Sequence, residues 1–337
     1  MGQWGDGVLG DWETQSVMHT MEKKDCGMAA KVGVSLLALC SVLIALEVVC
    51  RLWADRRGQL RPAREADKAR SASIWQKTPD PELLYVNRPN YVKNGVRLTE
   101  SHGILRGTEV SPNKPKGVFR IAVLGDSVAA GLALRTDARE EPFPEKLEAL
   151  LNTAPSKGRT FDVLNFGTDG YGTLQEARLL ETHARQFRPD LILLQYCLND
   201  PACSVTPGEW FIDRKRPVCL IWDYVTARLG VTKDSENPLD PRYSLYVPGS
   251  LPLRSSPATV RHWKALYRPG WKAWRSVEQG FQRIRVQADA LGAPVVAVIF
   301  PLLASAEDAD VAVLDRIHGQ VQEEAARNGF RVLDLRS

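Results

Sequence analysis

From Phe119 onward the chain alternates short apolar runs with longer amphipathic stretches. Five runs stand out: Phe119–Leu124, Phe161–Phe166 (FDVLNF), Asp190–Tyr196 (DLILLQY), Pro294–Phe300 (PVVAVIF) and Phe330–Leu335 (FRVLDL). Most are apolar at successive positions, the signature of strands buried on both faces of a parallel sheet. Helical periodicity fills the intervals at Phe143–Leu151, Thr173–Gln186, Trp271–Leu291 and Ala309–Asn328. Gly292 and Gly329 stand just past the last two, where a glycine commonly ends a helix. This rhythm predicts a doubly wound α/β domain over 117–337, a three-layer α/β/α sandwich around five parallel strands. In such sheets ligands bind beyond the carboxyl ends of the strands.

Two regions depart from the rhythm. Residues 201–268 are rich in proline and aromatics, including Trp210, Phe211, Trp222, Tyr224, Tyr243, Tyr246, Trp263 and Tyr267. They read as an insertion after the third strand, its aromatics forming either a small core of its own or a surface for an acyl or sugar group, with Trp210 and Trp222 as candidates. Near the other end, Val32 to Leu46 (VGVSLLALCSVLIAL) carries no charge, and extended to Trp53 it reaches the roughly 20 residues that span a bilayer. Glu47 and Arg51 within it are spaced as a favourable helical ion pair. A signal peptide and a buried helix are the alternatives; without a clear A-x-A site, the segment 32–53 is expected to be an uncleaved signal anchor. Residues 1–31 form a polar tail in which Met21 or Met28 is also a plausible start, and 54–116, with its charges and turn formers, reads as a linker and lead-in.

Composition narrows the function. Hydrophobic residues are 44% and charged residues 25%, the balance of a folded protein, and a net charge of +4 gives no footing for a nucleic-acid partner. The six cysteines (Cys26, Cys40, Cys50, Cys197, Cys203 and Cys219) form no C-x-x-C pair and no zinc pattern, so no metal is expected. Cys203 and Cys219 are open to a disulfide in an oxidising compartment, or each to a buried thiol.

The chemistry concentrates where strands end. The first strand runs into Gly125-Asp126-Ser127, the second into Gly167-Thr168-Asp169-Gly170, and the third into Leu198-Asn199-Asp200. In a parallel sheet these ends share one edge. A serine opening a helix presents its hydroxyl at a terminus that favours negative charge. The backbone N–H groups of Ser127 and Gly170 and the carboxamide of Asn199 would then supply three donors to a tetrahedral oxyanion. Asp126 and Asp200 stand beside them in supporting positions. Each turn alone is commonplace; the three in order are far more specific.

The combination IAVLGDS, VLNFGTDGYGT and LQYCLND resembles the SGNH (GDSL-type) hydrolase family. The resemblance gives Ser127 the role of nucleophile, and Gly170 and Asn199 those of oxyanion donors. Cys197 departs from it, standing where the family often has glycine. GILRGTEV and VVAVIFPLL are similar to membrane-anchored, bacterial-type members. The resemblance implies hydrolysis of acyl esters borne by small molecules, lipids or glycans, with no cofactor, and a catalytic domain outside the cytoplasm. The Lys and Arg count around the segment 32–53 argues for the opposite orientation.

A serine nucleophile needs a general base. The family supplies it as Asp-x-x-His after the fifth strand, a segment this sequence does not contain before Ser337. Asp315-Arg316-Ile317-His318 has the spacing but precedes that strand, and there reads as a solvated helix face. His19, His102, His183 and His262 read as surface or helix-face residues, His262 being the least remote because its insertion can fold over the site. The expectation is a fragment of a longer enzyme or a chain without the base, with a binding protein on the same fold, or an O-acyltransferase, as alternatives.

Overall fold

The computed structural model describes residues 34–35, 37–52, 72–131, 134, 141–153, 158–201, 264, 266–301 and 308–336. By contacts, residues 34–52 belong to one unit and the described residues from 72 on to another.

In the first unit, residues 37–52 are helical. The Nε of Arg51 lies 2.8 Å from the Glu47 Oε1, the i,i+4 pair that the spacing predicts. Val34, Leu37, Leu39, Val42, Leu43, Ile44, Leu46, Val48, Val49 and Leu52 are all exposed. Among the described residues no helix is long and apolar enough to cross a membrane. Positions 32, 33, 36 and 53 of the expected anchor lie outside the described residues.

The second unit is built on five parallel strands: β5 (Val118–Leu124), β6 (Thr160–Asn165), β7 (Leu191–Tyr196), β8 (Val295–Ile299) and β9 (Arg331–Asp334), in the spatial order β6-β5-β7-β8-β9. Each coincides with a predicted apolar run to within a residue or two at its ends. The chain starts in β5, steps to β6 on one side, then crosses to β7 on the other, so the sheet reverses its winding between β5 and β7. That reversal opens a crevice at the carboxyl ends of these two strands.

Helices cover both faces. After the single turn α1 (Ser127–Ala130), helix α2 (Phe143–Thr153) packs Phe143, Leu147 and Leu151 over Ile121, Val123, Val163 and Leu193. The opposite face carries α3 (Thr173–Thr182), α4 (Lys272–Leu291) and α5 (Asp308–Arg327), whose Leu180, Phe281, Ile284, Ile317 and Val321 join Ala122, Leu124, Ile192, Leu194 and Ala297 in the larger core. This division follows from right-handed crossovers, since only the β5-to-β6 step runs in the reverse direction. The expected helix Thr173–Gln186 breaks at His183, and a 3-10 turn, Ala184–Phe187, finishes it before Arg188 at φ 48°. A Cβ on Gly280 of α4 would lie 2.8 Å from the Thr173 backbone, so that glycine lets α4 press against the start of α3.

Residues 72–116 hold more structure than turn formers announce. Two antiparallel ribbons, β1 (Trp75–Lys77) with β2 (Tyr85–Asn87) and β3 (Val92–Lys93) with β4 (Val96–Arg97), lie here. Leu83, Tyr85, Ile104 and Val110 enter the main core. Arg120, 1% exposed within β5, ties the segment down. Its guanidinium donates to the carbonyls of Ser111 (2.7 Å), Pro112 (3.2 Å) and Phe187 (3.1 Å) and to the Asp162 carboxylate (3.1 Å). A buried cation needs such full pairing.

Candidate active site

The turn after β5 is held by side chains from both neighbouring strands. Asp126 is buried and caps α1, its Oδ1 accepting from the Val128 N–H at 3.0 Å. Its other oxygen, Oδ2, accepts from the Asn199 Nδ2 at 3.1 Å. One carboxylate thus joins the turn of Ser127 to the end of β7. On the β6 side, the Thr168 N–H donates to the Gly125 carbonyl at 3.0 Å. The Asn165 carboxamide donates to the Ala129 carbonyl (2.8 Å) and accepts from the Gly167 N–H (2.9 Å). A Cβ on Gly167 would stand 2.5 Å from the Ala130 N, so a glycine is needed for the loop to come this close.

Ser127 is exposed, and an accounting of the turn's N–H groups shows why it matters. The Asp126 N–H donates to the Gln195 Oε1, Val128 to Asp126, Ala129 to the Gln195 Oε1, and Ala130 to the Asp126 carbonyl. Among the described residues the Ser127 N–H has no acceptor. The Gly170 N–H, on a residue at φ 77°, likewise has none. Asn199 spends one amide hydrogen on Asp126 and keeps the other. Among the described residues the fold therefore leaves these three donors uncommitted.

The loop bearing Gly170 is anchored from the lead-in segment. The Tyr85 hydroxyl donates to the Asp169 carbonyl at 2.6 Å, and the Tyr171 hydroxyl donates to the Tyr85 carbonyl. The Asp169 side chain is less settled. Its Oδ1 is buried without a hydrogen-bond partner, and burial, with a smaller push from Asp126, raises its pKa to about 6.

Carboxyl groups crowd beneath the rim. Asp200 is buried, accepting from the Thr173 hydroxyl (3.1 Å) and the Cys197 N–H (3.3 Å). Glu176 is fully buried, and neither of its oxygens has a hydrogen-bond partner. Desolvation first, then repulsion among Glu176, Asp200 and Asp126, pushes the Glu176 and Asp200 carboxyls well above the usual range. Both shifts favour the uncharged carboxyl. Burial likewise raises the Cys197 thiol, which favours its uncharged form.

The histidines resolve differently from expectation. His318 is not on a solvated helix face; it is 1% exposed. Its Nδ1 lies 3.2 Å from both Asp334 oxygens, and Asp315, the apparent sequence partner, pairs instead with Arg336. Asp334 also accepts from the Gln322 Nε2 (2.6 Å) and the Arg336 Nη2 (2.9 Å). Burial works against its ionisation, but Arg336 and His318 hold the carboxyl down at about 2. This couple closes β9, three strand steps from β5 in the sheet order, which at strand spacing is about 14 Å across. His102 sits against the Glu100 Oε2 (2.8 Å) and edge-on to Phe187, and His183 caps α3 beside the Thr182 hydroxyl. Glu100, His102 and Glu109 bring possible metal-ligand atoms within 4.8 Å. Their carboxylates already accept from the Ile104 and His102 N–H groups, Ser101 and Arg97, an arrangement that closes the loop on itself. His19, His262, Trp210, Trp222, Cys203 and Cys219 lie outside the described residues.

Sequence reasoning passed over Asn165, Glu176, Gln195 and the pairing of His318 with Asp334. The first and third had a signal, a carboxamide near the end of a run that is apolar after its aspartate.

A serine-bearing strand-to-helix turn at the winding reversal of a parallel sheet, with free donors around it, defines a class of acyl-transferring hydrolase folds. Residues 123–337 match the model of the GDSL-like lipase/acylhydrolase family, and the chain belongs to that family of acyl-ester hydrolases. A search of curated proteins finds no match. Among solved structures the chain is similar to TesA, at 15% identity over 63% of this chain and 76% of that one, with a TM-score of 0.33. It is similar also to AlinE4, an SGNH-hydrolase family esterase (14% identity, 65% and 77% covered, TM-score 0.32). A third is a catalytic mutant of Axe2, an acetylxylan esterase from Geobacillus stearothermophilus (12% identity, 64% and 75% covered, TM-score 0.35).

Proposed function

We propose that the protein is a serine ester hydrolase in which Ser127 attacks an acyl or O-acetyl ester carried by a lipid or a carbohydrate. The uncommitted N–H groups of Ser127 and Gly170 and the free amide hydrogen of Asn199 carry this reading. In the reaction, the Ser127 Oγ adds to the carbonyl carbon and the three donors hold the resulting oxyanion. The intermediate then expels the alcohol, leaving an acyl-serine that water cleaves to the acid. The hydroxyl proton has to pass to a base and on to the leaving alcohol. The family resemblance assigns that task to an Asp-x-x-His pair; here Asp315 bonds to Arg336 instead of to His318, and His318 is buried at β9 with its Nδ1 on Asp334. An alcohol acceptor in place of water would make the same chemistry an O-acyltransfer.

We propose also a single-pass anchor over 32–53, which the apolar exposed surface of the helix of residues 37–52 supports; the placement of the hydrolase domain outside the cytoplasm rests on the family resemblance alone. The test is hydrolysis of p-nitrophenyl acetate together with covalent labelling by a fluorophosphonate, with Ser127→Ala as control. Labelling and hydrolysis that vanish in Ser127→Ala support the enzyme. Glycan binding that survives Ser127→Ala and is lost in Trp210→Ala/Trp222→Ala, with no labelling of the wild type, would replace it by a binding protein.

A further inference from the structure

Gln195 lies one residue before the carboxyl end of β7, 0% exposed, in a strand whose other inward positions are apolar. A buried carboxamide is costly unless its groups are bonded. Here its Oε1 accepts from two backbone N–H groups, those of Asp126 and Ala129, each at 3.1 Å. These flank Ser127 on either side. Its Nε2 donates to the Cys197 Sγ at 3.1 Å, two residues before Asn199. The fit is close: a Cβ on Gly125 would run into the Gln195 Oε1 and lie 3.0 Å from the Gln195 Cβ.

We propose that Gln195 is a positioning residue that aims the Ser127 N–H and hydroxyl out of the turn and couples that turn to the strand end bearing Asn199. The inference rests on Ser127 being the nucleophile and goes beyond it. A helix of one turn has too few internal hydrogen bonds to fix its own start, and its first N–H groups have no partner within it. Two of the four N–H groups around Ser127 are fixed by one side-chain oxygen, so the serine's own N–H is the one left over. Asp126 fixes a third, and because it is also bonded to Asn199, the two clamps meet across the crevice.

The test compares Gln195→Leu, which keeps the shape and removes the acceptor, with Gln195→Glu, which keeps an acceptor oxygen. Amide hydrogen exchange over residues 124–131 reads the clamp without any catalysis. Gln195→Leu should speed exchange of the Asp126 and Ala129 amides by about tenfold or more, and Gln195→Glu should restore protection. Fluorophosphonate labelling of Ser127 should slow by about tenfold or more in Gln195→Leu, at temperatures where both proteins remain folded, and recover in Gln195→Glu. Unchanged exchange in Gln195→Leu overturns the clamp. Faster exchange with unchanged labelling reduces Gln195 to a structural residue and overturns its positioning role. If the wild type fails to label, the serine-nucleophile reading fails instead, and exchange alone decides whether the clamp exists.

Discussion

Two places on the same edge of the sheet carry an aspartate paired with another functional side chain. At β5 and β7, Asp126 joins Asn199; at β9, Asp334 joins His318. By residue type the Asp334–His318 couple is the closer match to catalytic machinery. Its oxygens, however, are taken up by His318, Gln322 and Arg336, and the imidazole is buried. The Asp126–Asn199 end keeps an exposed serine and donors without acceptors. A reactive site is marked by groups the fold leaves unspent at an accessible rim; a set of suitable residue types buried against one another is a brace.

The largest effect expected from that contrast falls on Asn199. Asn199→Ala should lower Ser127-dependent ester turnover by about 10²–10³-fold with little change in KM, as for loss of one oxyanion donor. A loss confined to KM would place Asn199 in substrate binding instead. By contrast, His318→Ala should leave fluorophosphonate labelling of Ser127 unchanged while costing roughly 1–3 kcal/mol of stability in denaturant melts, since it strips a partner from a partly buried carboxylate. Labelling lost in a folded His318→Ala protein would make the two ends of the sheet one site.

Titration separates them further. Burial and the nearby Arg336 lower the His318 pKa, so the unfolded chain binds its proton more readily. The stability that His318 contributes is therefore full above its unfolded pKa and falls as pH drops through the acid range. Asp169 acts in the opposite sense. With a folded pKa raised to about 6 from 3.8, it takes up a proton more readily when folded, and stability is lost as pH rises from about 4 to about 6. Asp169→Asn should flatten that dependence, as read from urea midpoints at pH 4 and pH 7. A midpoint difference that persists unchanged would mean that Asp169 is ionised and paired.

Much of this arrangement was legible in the sequence, for physical reasons. Strands buried on both faces declare themselves as unbroken apolar runs, so β5 to β9 could be read directly, and a parallel sheet then places Ser127, Gly170 and Asn199 on one edge. Local capping ended the last two helices as expected at Gly292 and Gly329. What stayed hidden depends on partners distant in the chain. Tyr85 reaches the loop of Gly170, Arg120 gathers carbonyls from Ser111 and Phe187, and His318 finds Asp334 instead of Asp315. No periodicity encodes such pairings. The ribbons β1 to β4 are too short to show a pattern, and β1 and β2 are held by contact with the main core through Trp75, Tyr85 and Val86.

The most direct measurement is a crystal structure of the fluorophosphonate adduct. Phosphorus is expected on the Ser127 Oγ, with its oxygen about 3 Å from the Ser127 N, the Gly170 N and the Asn199 Nδ2. An adduct whose oxygen faces solvent or other donors, with Gly170 and Asn199 turned away from it, would contradict the account.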